Sequence, residues 1–232
     1  MDDLRKCLAE FVGTFFFCFA GIGTILSTED PLNSGAGLVG IALAHGLAVA
    51  IAVCAFCGIS GAHFNPAVTI GMLVTGRIGA KLSVMYIMAQ CLASVLAAFL
   101  CTQIYPAAAV ESANLGIPLP PDTEASGIVA TVLLAEIIMT FLLVTAVFGT
   151  VVDTRGMAAK IGGLGIGLVV TIDILAGMPI TGASMNPARS FGPALIQGDF
   201  TLHWCYWVAP IVGACIAALM WHQIFLKSDD GQ

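Results

Sequence analysis

Charge is what this sequence has least of. Its 232 residues include only 8 Lys or Arg and 14 Asp or Glu, against 59% hydrophobic residues, which excludes a soluble domain with a hydrated surface. No nucleic-acid partner is expected. Catalytic pairings are missing too: the chain has no His-Glu-x-x-His helix, no paired nucleophile and base, and no paired catalytic Asp motif. An intramembrane enzyme is therefore not expected, and neither is a cofactor. The eight cysteines, at 7, 18, 54, 57, 91, 101, 205 and 215, show no loop pairing and no metal-ligand spacing, so they read as small buried apolar residues. The first apolar tract follows Arg5 and Lys6 as a secretory signal would. Glu10 interrupts its start and no convincing cleavage site follows, so it is expected to remain as a helix.

What fills the chain instead is long, nearly uncharged tracts, at about 8–28, 37–58, 82–105, 127–152, 161–178 and 204–226. Each approaches the roughly 20 residues a spanning helix needs, which predicts six transmembrane helices. The basic residues fall on one side of that scheme. Arg5, Lys6, Arg77, Lys81, Arg155, Lys160 and Lys227 occupy the N-terminus, the segment after span two, the segment between spans four and five, and the C-terminus. The positive-inside rule makes that side cytoplasmic, with both termini there. The opposite loops, around 29–36, 105–126 and 179–203, hold a single basic residue, Arg189.

The two halves repeat. Ala9-Glu10-Phe11-Val12-Gly13-Thr14-Phe15 matches Ala135-Glu136-Ile137-Ile138-Met139-Thr140-Phe141, and Gly61-Ala62-His63-Phe64-Asn65-Pro66-Ala67 matches Gly182-Ala183-Ser184-Met185-Asn186-Pro187-Ala188. The repeats run over about 7–105 and 127–226 of a single domain spanning 1–232. Three spans per half invert the second half across the membrane, an arrangement that places a shared site near the midplane. The segments Asn65–Thr75 and Asn186–Gln197 are apolar but too short to cross, which predicts two re-entrant half-helices. Asn is a favoured N-cap and Pro a favoured first helical residue, so both begin at Asn-Pro-Ala. The backbone before each start, at Gly61, Ala62 and His63 and at Gly182, Ala183 and Ser184, must be buried or line a water-filled cavity. Its carbonyls are expected to form a polar ladder on an apolar wall.

Over essentially the whole chain, and most specifically at Ser60-Gly61-Ala62-His63-Phe64-Asn65-Pro66-Ala67-Val68-Thr69 and Met185-Asn186-Pro187-Ala188-Arg189-Ser190-Phe191-Gly192-Pro193, the sequence resembles the aquaporin, or major intrinsic protein, family. The resemblance implies an all-α bundle of six spans with two half-helices meeting by their Asn-Pro-Ala ends, and a homotetramer with one pore per protomer. It implies passive conduction of water with exclusion of protons and ions, as is described for pores of this type, where half-helix dipoles or an Arg repel cations. Each helix N-terminus carries roughly +0.5 of an elementary charge. Asn65 and Asn186 would donate hydrogen bonds to a passing water oxygen. Counting from the motifs puts the family's filter positions at His45, Ile174, Ala183 and Arg189. This set is most similar to that of plant tonoplast intrinsic proteins, some of which pass ammonia, urea or hydrogen peroxide as well as water. Ser190 after the Arg and the lack of aromatic filter residues set it apart from glycerol channels. Residues 105–126 lack the extra His of some ammonia-passing relatives.

The remaining polar residues admit more than one reading. Arg189 is too costly to face lipid and is expected in the pore. His63 either lines the cytoplasmic half of the pore or braces its loop. Glu10 and Glu136, at matched positions, are expected to accept hydrogen bonds from donors in the re-entrant loops; a secondary transporter would instead use them as ion sites, and that is the alternative function. Asp173 either holds the outer loop or makes the vestibule more negative. Trp204, Tyr206 and Trp207 are expected to act as interfacial anchors. The short chain and compact loops favour a cell membrane, with the vacuolar membrane as the other location.

Overall fold

A computed structural model describes residues 2–29, 35–155 and 161–226; Lys160 and Lys227, used above for orientation, lie outside them. The described residues form helices joined by turns, with no strand among them. In chain order these are α1 (Asp2–Glu29), α2 (Gly37–Ser60), α3 (Pro66–Val74), α4 (Ala80–Ile104), α5 (Ala107–Ser112), α6 (Ile128–Val147), α7 (Gly163–Thr181), α8 (Pro187–Gln197) and α9 (Cys205–Met220). A π-helical turn extends α6 over Phe148–Val152, and another extends α9 over Trp221–Phe225.

Six of these helices are long and apolar enough to cross a membrane, with mean hydropathy between 1.7 and 2.4. Their side-chain distribution explains why they assemble as they do. On α4 the residues Val84, Met88, Leu92, Leu96 and Phe99, spaced by about one turn, point outward, while Ser83, Gln90, Ala93, Ser94, Ala97 and Cys101 are buried. Large apolar residues face the surroundings and small or polar ones face the protein. That is how helices associate in lipid, where close backbone approach and hydrogen bonds replace a hydrophobic drive.

Within the halves, α1 packs on α2 and α4, and α6 packs on α7 and α9. The seam between halves is α2 against α7, and it is closed by glycines. A β-carbon on Gly167 would stand 2.2 Å from the carbonyl oxygen of Gly46, and one on Gly163 would stand 2.4 Å from that of Ala50. The half-helices are exchanged: α3, from the first half, lies on α9, and α8, from the second, lies on α4. With 9 and 11 residues at 1.5 Å per residue they reach about 14–17 Å, half of a hydrocarbon core about 30 Å thick.

The basic end of the bundle is tied together. Arg77 Nη1 lies 3.3 Å from His222 Nδ1, and its guanidinium sits 5.2 Å from the Phe148 ring centroid. Arg155 donates from Nε and Nη2 to the two carboxylate oxygens of Asp153 and from Nη2 to Phe225 O. That fork holds Asp153 down at about 2. Two expectations need correction here. Of the eight cysteines expected to be buried, Cys7, Cys57, Cys91 and Cys215 are only half-buried, and Cys54 is exposed because it sits on the outward face of α2. Tyr206 is buried, not interfacial, for a reason that belongs to the site.

Candidate functional site

Each re-entrant loop begins where a long helix is stopped by a glycine. Gly61 (φ 89°) ends α2 and Gly182 (φ 81°) ends α7 in the left-handed conformation that glycine adopts without penalty. The next residues follow one pattern in both loops. Ala62 and Phe64, and likewise Ala183 and Met185, have φ between 46° and 54°, which costs a non-glycine residue roughly 1–2 kcal/mol.

The opposing interactions are explicit. Glu10, fully buried, accepts from His63 N (2.9 Å) and Ser60 Oγ (2.6 Å) on one oxygen, and from Phe64 N (2.6 Å) and Gln90 Nε2 (2.8 Å) on the other. Glu136 repeats this with Ser184 N (2.9 Å), Thr181 Oγ1 (2.8 Å) and Met185 N (2.7 Å). The peptide unit is planar, so an N–H turned toward the glutamate turns the carbonyl of the same unit away from it. The carbonyls of Ala62 and His63, and of Ala183 and Ser184, therefore point away from the buried carboxylates. All four residues line one narrow cavity. Gly61 and Gly182 do not line it; Gly182 lines a second cavity further out.

The half-helices start where the sequence predicts. Asn65 and Asn186 are N-caps whose side-chain oxygens accept from Ala67 N (2.8 Å), and from Ala188 N (3.0 Å) and Arg189 N (3.3 Å). Pro66 and Pro187 stand first in α3 and α8. The two amides also cross-link the loops: Asn65 Nδ2 donates to Met185 O (2.8 Å) and Asn186 Nδ2 to Phe64 O (2.9 Å). An amide nitrogen has two donors, so each asparagine keeps one N–H for the cavity that both line.

That cavity has a volume of about 50 Å³. A water needs roughly 10–15 Å³ on this measure, so it takes a short file of waters. Its wall is paired across the halves. Phe17 matches Leu143, Val49 matches Val170, Val68 matches Arg189, Val53 matches Ile174 and His45 matches Ile166, all of them lining it. Among the described residues, polar groups other than the loops' own enter only through His45 and Arg189. Both are on the wall with Ile174 and Ala183, so the four filter positions predicted from the sequence come together. His45 donates from Nδ1 to Ile41 O at 2.9 Å, since a carbonyl can only accept. Arg189 is 4% exposed and donates from Nη1 to Gly116 O at 2.6 Å. Gly116 ends a short 3₁₀ turn, Asn114–Gly116, in the loop before α6. His63 lines the cavity, and its Nδ1 lies 3.1 Å from Thr69 Oγ1 in α3.

Beyond Arg189 lies a wider cavity of about 450 Å³, lined also by Glu29, Ser112, Gly116 and Pro118. Among the described residues, Arg189 alone is common to both linings. Asp173 lines neither. It is buried, with Oδ2 unpartnered and no hydrogen bond to a loop among the described residues, so neither reading of this residue finds support.

The matching also brings out residues that the motifs alone did not single out. Tyr86 Oη donates to Ser60 O (2.8 Å) and Tyr206 Oη to Thr181 O (2.6 Å), tying α4 and α9 to the helix ends that enter the loops. Tyr206 is buried for this reason. Ser60 and Thr181 were legible as the hydroxyl residues directly before Gly-Ala; the tyrosines needed a full alignment of the halves.

The match with known proteins agrees with this arrangement. The major intrinsic protein profile matches residues 1–221. The chain belongs to the major intrinsic protein family. Among curated major intrinsic proteins it is similar to Aquaporin TIP4-4 of Zea mays, 44% identical over 96% of this chain and 87% of the relative. It is also similar to Aquaporin TIP2-1 of Arabidopsis thaliana, 42% identical over 99% and 91%. The X-ray structure of the aquaglyceroporin from Plasmodium falciparum superposes with a TM-score of 0.84, covering 97% of both chains at 22% identity, which speaks for the fold alone. As a major intrinsic protein the chain is a channel and not an enzyme. The transporter alternative gains nothing from these relatives.

Proposed function

We propose that this chain, read as one channel domain over 1–232, conducts water passively along the narrow cavity, and that ammonia, urea and hydrogen peroxide are its candidate further solutes. The observation that carries the reading is Arg189, common to the narrow and the wide cavity and held on Gly116 O. A fixed guanidinium at that junction repels cations and offers donors to a neutral solute. His45, Ile174, Ala183 and Arg189 form the filter. The Asn-Pro-Ala ends, with two positive helix termini and one spare donor on each asparagine, set the orientation of water at the midplane. The carbonyls of Ala62, His63, Ala183 and Ser184 supply acceptors along an apolar wall, and Gly61 and Gly182 act as the turns that aim them.

The polar filter stands at one end only. The counterparts of Ile174, Ala183, Arg189 and His45 in the other half are Val53, Ala62, Val68 and Ile166, all apolar. Outside the re-entrant loops, selection by hydrogen bonding therefore belongs to the Arg189 end. The protein is proposed to be a homotetramer with both termini cytoplasmic, in the cell membrane, with the vacuolar membrane as the alternative suggested by the TIP-type relatives.

The test is stopped-flow light scattering on proteoliposomes under sorbitol, urea, glycerol and ammonium gradients. Vesicles with this chain should shrink in sorbitol faster than empty ones, while glycerol entry stays at background. Arg189→Ala should admit urea faster and leak cations. No acceleration over empty vesicles would refute the open-channel reading.

A further inference from the structure

The filter histidine does not hold itself in place. Its imidazole is fixed at one edge by the bond from Nδ1 to Ile41 O, at 2.9 Å within its own helix. The opposite edge leans on α1 at Gly21. A β-carbon built on Gly21 would stand 2.3 Å from His45 Nε2, 2.5 Å from Cδ2 and 2.7 Å from Cε1. Three ring atoms thus occupy the space that any other residue at 21 would fill.

The other half of the molecule shows what the alternative looks like. In the register that pairs Glu10 with Glu136, Gly21 pairs with Val147; in the register that pairs Asn65 with Asn186, His45 pairs with Ile166. Val147 and Ile166 both line the narrow cavity toward its other end. There, a β-branched residue on the first helix of the repeat stands with an aliphatic one on the second. At the Arg189 end the first-helix residue has been reduced to hydrogen and the second enlarged to an imidazole.

We infer that Gly21 is a positioning residue of the filter, and that its missing side chain sets how far the His45 ring stands from Arg189 and so which solutes pass. The inference rests on the channel reading above. Ring and β-carbon would need an ordinary separation of about 3.5 Å, so a methyl group at 21 displaces the imidazole by about 1 Å. Ile41 and the body of α2 lie on one side, and the cavity is the open side. The ring moves into the lumen. A file only wide enough for water loses a broader solute such as urea before it loses water.

The experiment compares wild type, Gly21→Ala, His45→Ala and the double variant, full length in proteoliposomes, for water and urea permeability, with a cryo-EM map of Gly21→Ala. The expected results are a ring shifted toward Arg189, urea entry cut to the level of empty vesicles, and a raised water-to-urea ratio. In the His45→Ala background, adding Gly21→Ala should change neither flux, since there is no ring left to displace. Should Gly21→Ala alone fail to reconstitute while the double variant does so, the clash with the ring is equally supported. An unmoved ring, an unchanged ratio, the same loss in both backgrounds, or failure of both variants to fold would overturn the assignment. Wild-type vesicles no faster than empty ones would instead overturn the channel reading, and the ring position in the map would still decide the role of Gly21.

Discussion

Glu10 and Glu136 bear the conformation of the whole site, because each re-entrant loop has two left-handed non-glycine residues that the local chain does not favour. The carboxylate is the one side chain that accepts at both ends, and each glutamate uses both oxygens on successive backbone N–H groups. A glutamine keeps the shape but replaces one acceptor with a donor. In Glu136→Gln, either Met185 N or Ser184 N then loses its partner. Leaving such a buried donor unpaired costs about 1–3 kcal/mol. We expect Glu10→Gln and Glu136→Gln both to lower the melting temperature in detergent and to reduce water permeability. Permeability equal to wild type in both would show that the loops hold their shape without the carboxylates. The matched glutamates were legible in the sequence from the repeat alone. The positive φ of Phe64 and Met185 was not, since nothing in a bulky residue's identity announces a left-handed backbone that distant groups impose.

At the scale of elements, the repeat predicts more symmetry than the packing keeps. Gly71 in α3 and Gly192 in α8 occupy the same place after their Asn-Pro-Ala starts. A β-carbon on Gly71 would meet Ala214 O and Ala218 Cβ at 3.4 Å, an ordinary contact. One on Gly192 would meet Ser94 Oγ at 2.2 Å and the Ser94 backbone at 2.5 Å. Alanine is favoured over glycine inside a helix by about 0.8–1.0 kcal/mol, whereas overpacking costs typically about 1–3 kcal/mol. Gly71→Ala should therefore be neutral or stabilising and Gly192→Ala destabilising, read as opposite shifts of thermal unfolding in detergent. Equal effects would mean that α8 can slide away from α4. The half-helices themselves were predictable in start and length, because N-cap and Pro signals are local. Their exchange, α3 onto α9 and α8 onto α4, was not, because it depends on how six spans close on one another.

For the whole molecule, the basic residues Arg77 and Arg155 gather with the end of α9 at one face, and Arg189 stands near the other. If that basic face is cytoplasmic, a fluorescent protein fused to the C-terminus is bright in cells and an exported phosphatase fused there is inactive. An active phosphatase would reverse the proposed orientation, and with it the assignment of the polar filter to the non-cytoplasmic mouth.

The filter positions came from the resemblance to the family, whereas the sequence by itself determined the spans, the inverted repeat and the two Asn-Pro-Ala helix starts. Each of these is written in hydrophobic length, in local capping chemistry or in the matching of the halves. Only the tertiary structure decided which way the loop carbonyls turn, that Arg189 is braced by Gly116, that Tyr206 faces inward and that Gly21 makes room for His45. These depend on contacts between groups 25 to 73 residues apart, or on space left by a missing side chain. A sequence records which residues are present, but the gap that a glycine leaves takes its meaning from whatever the fold brings into it.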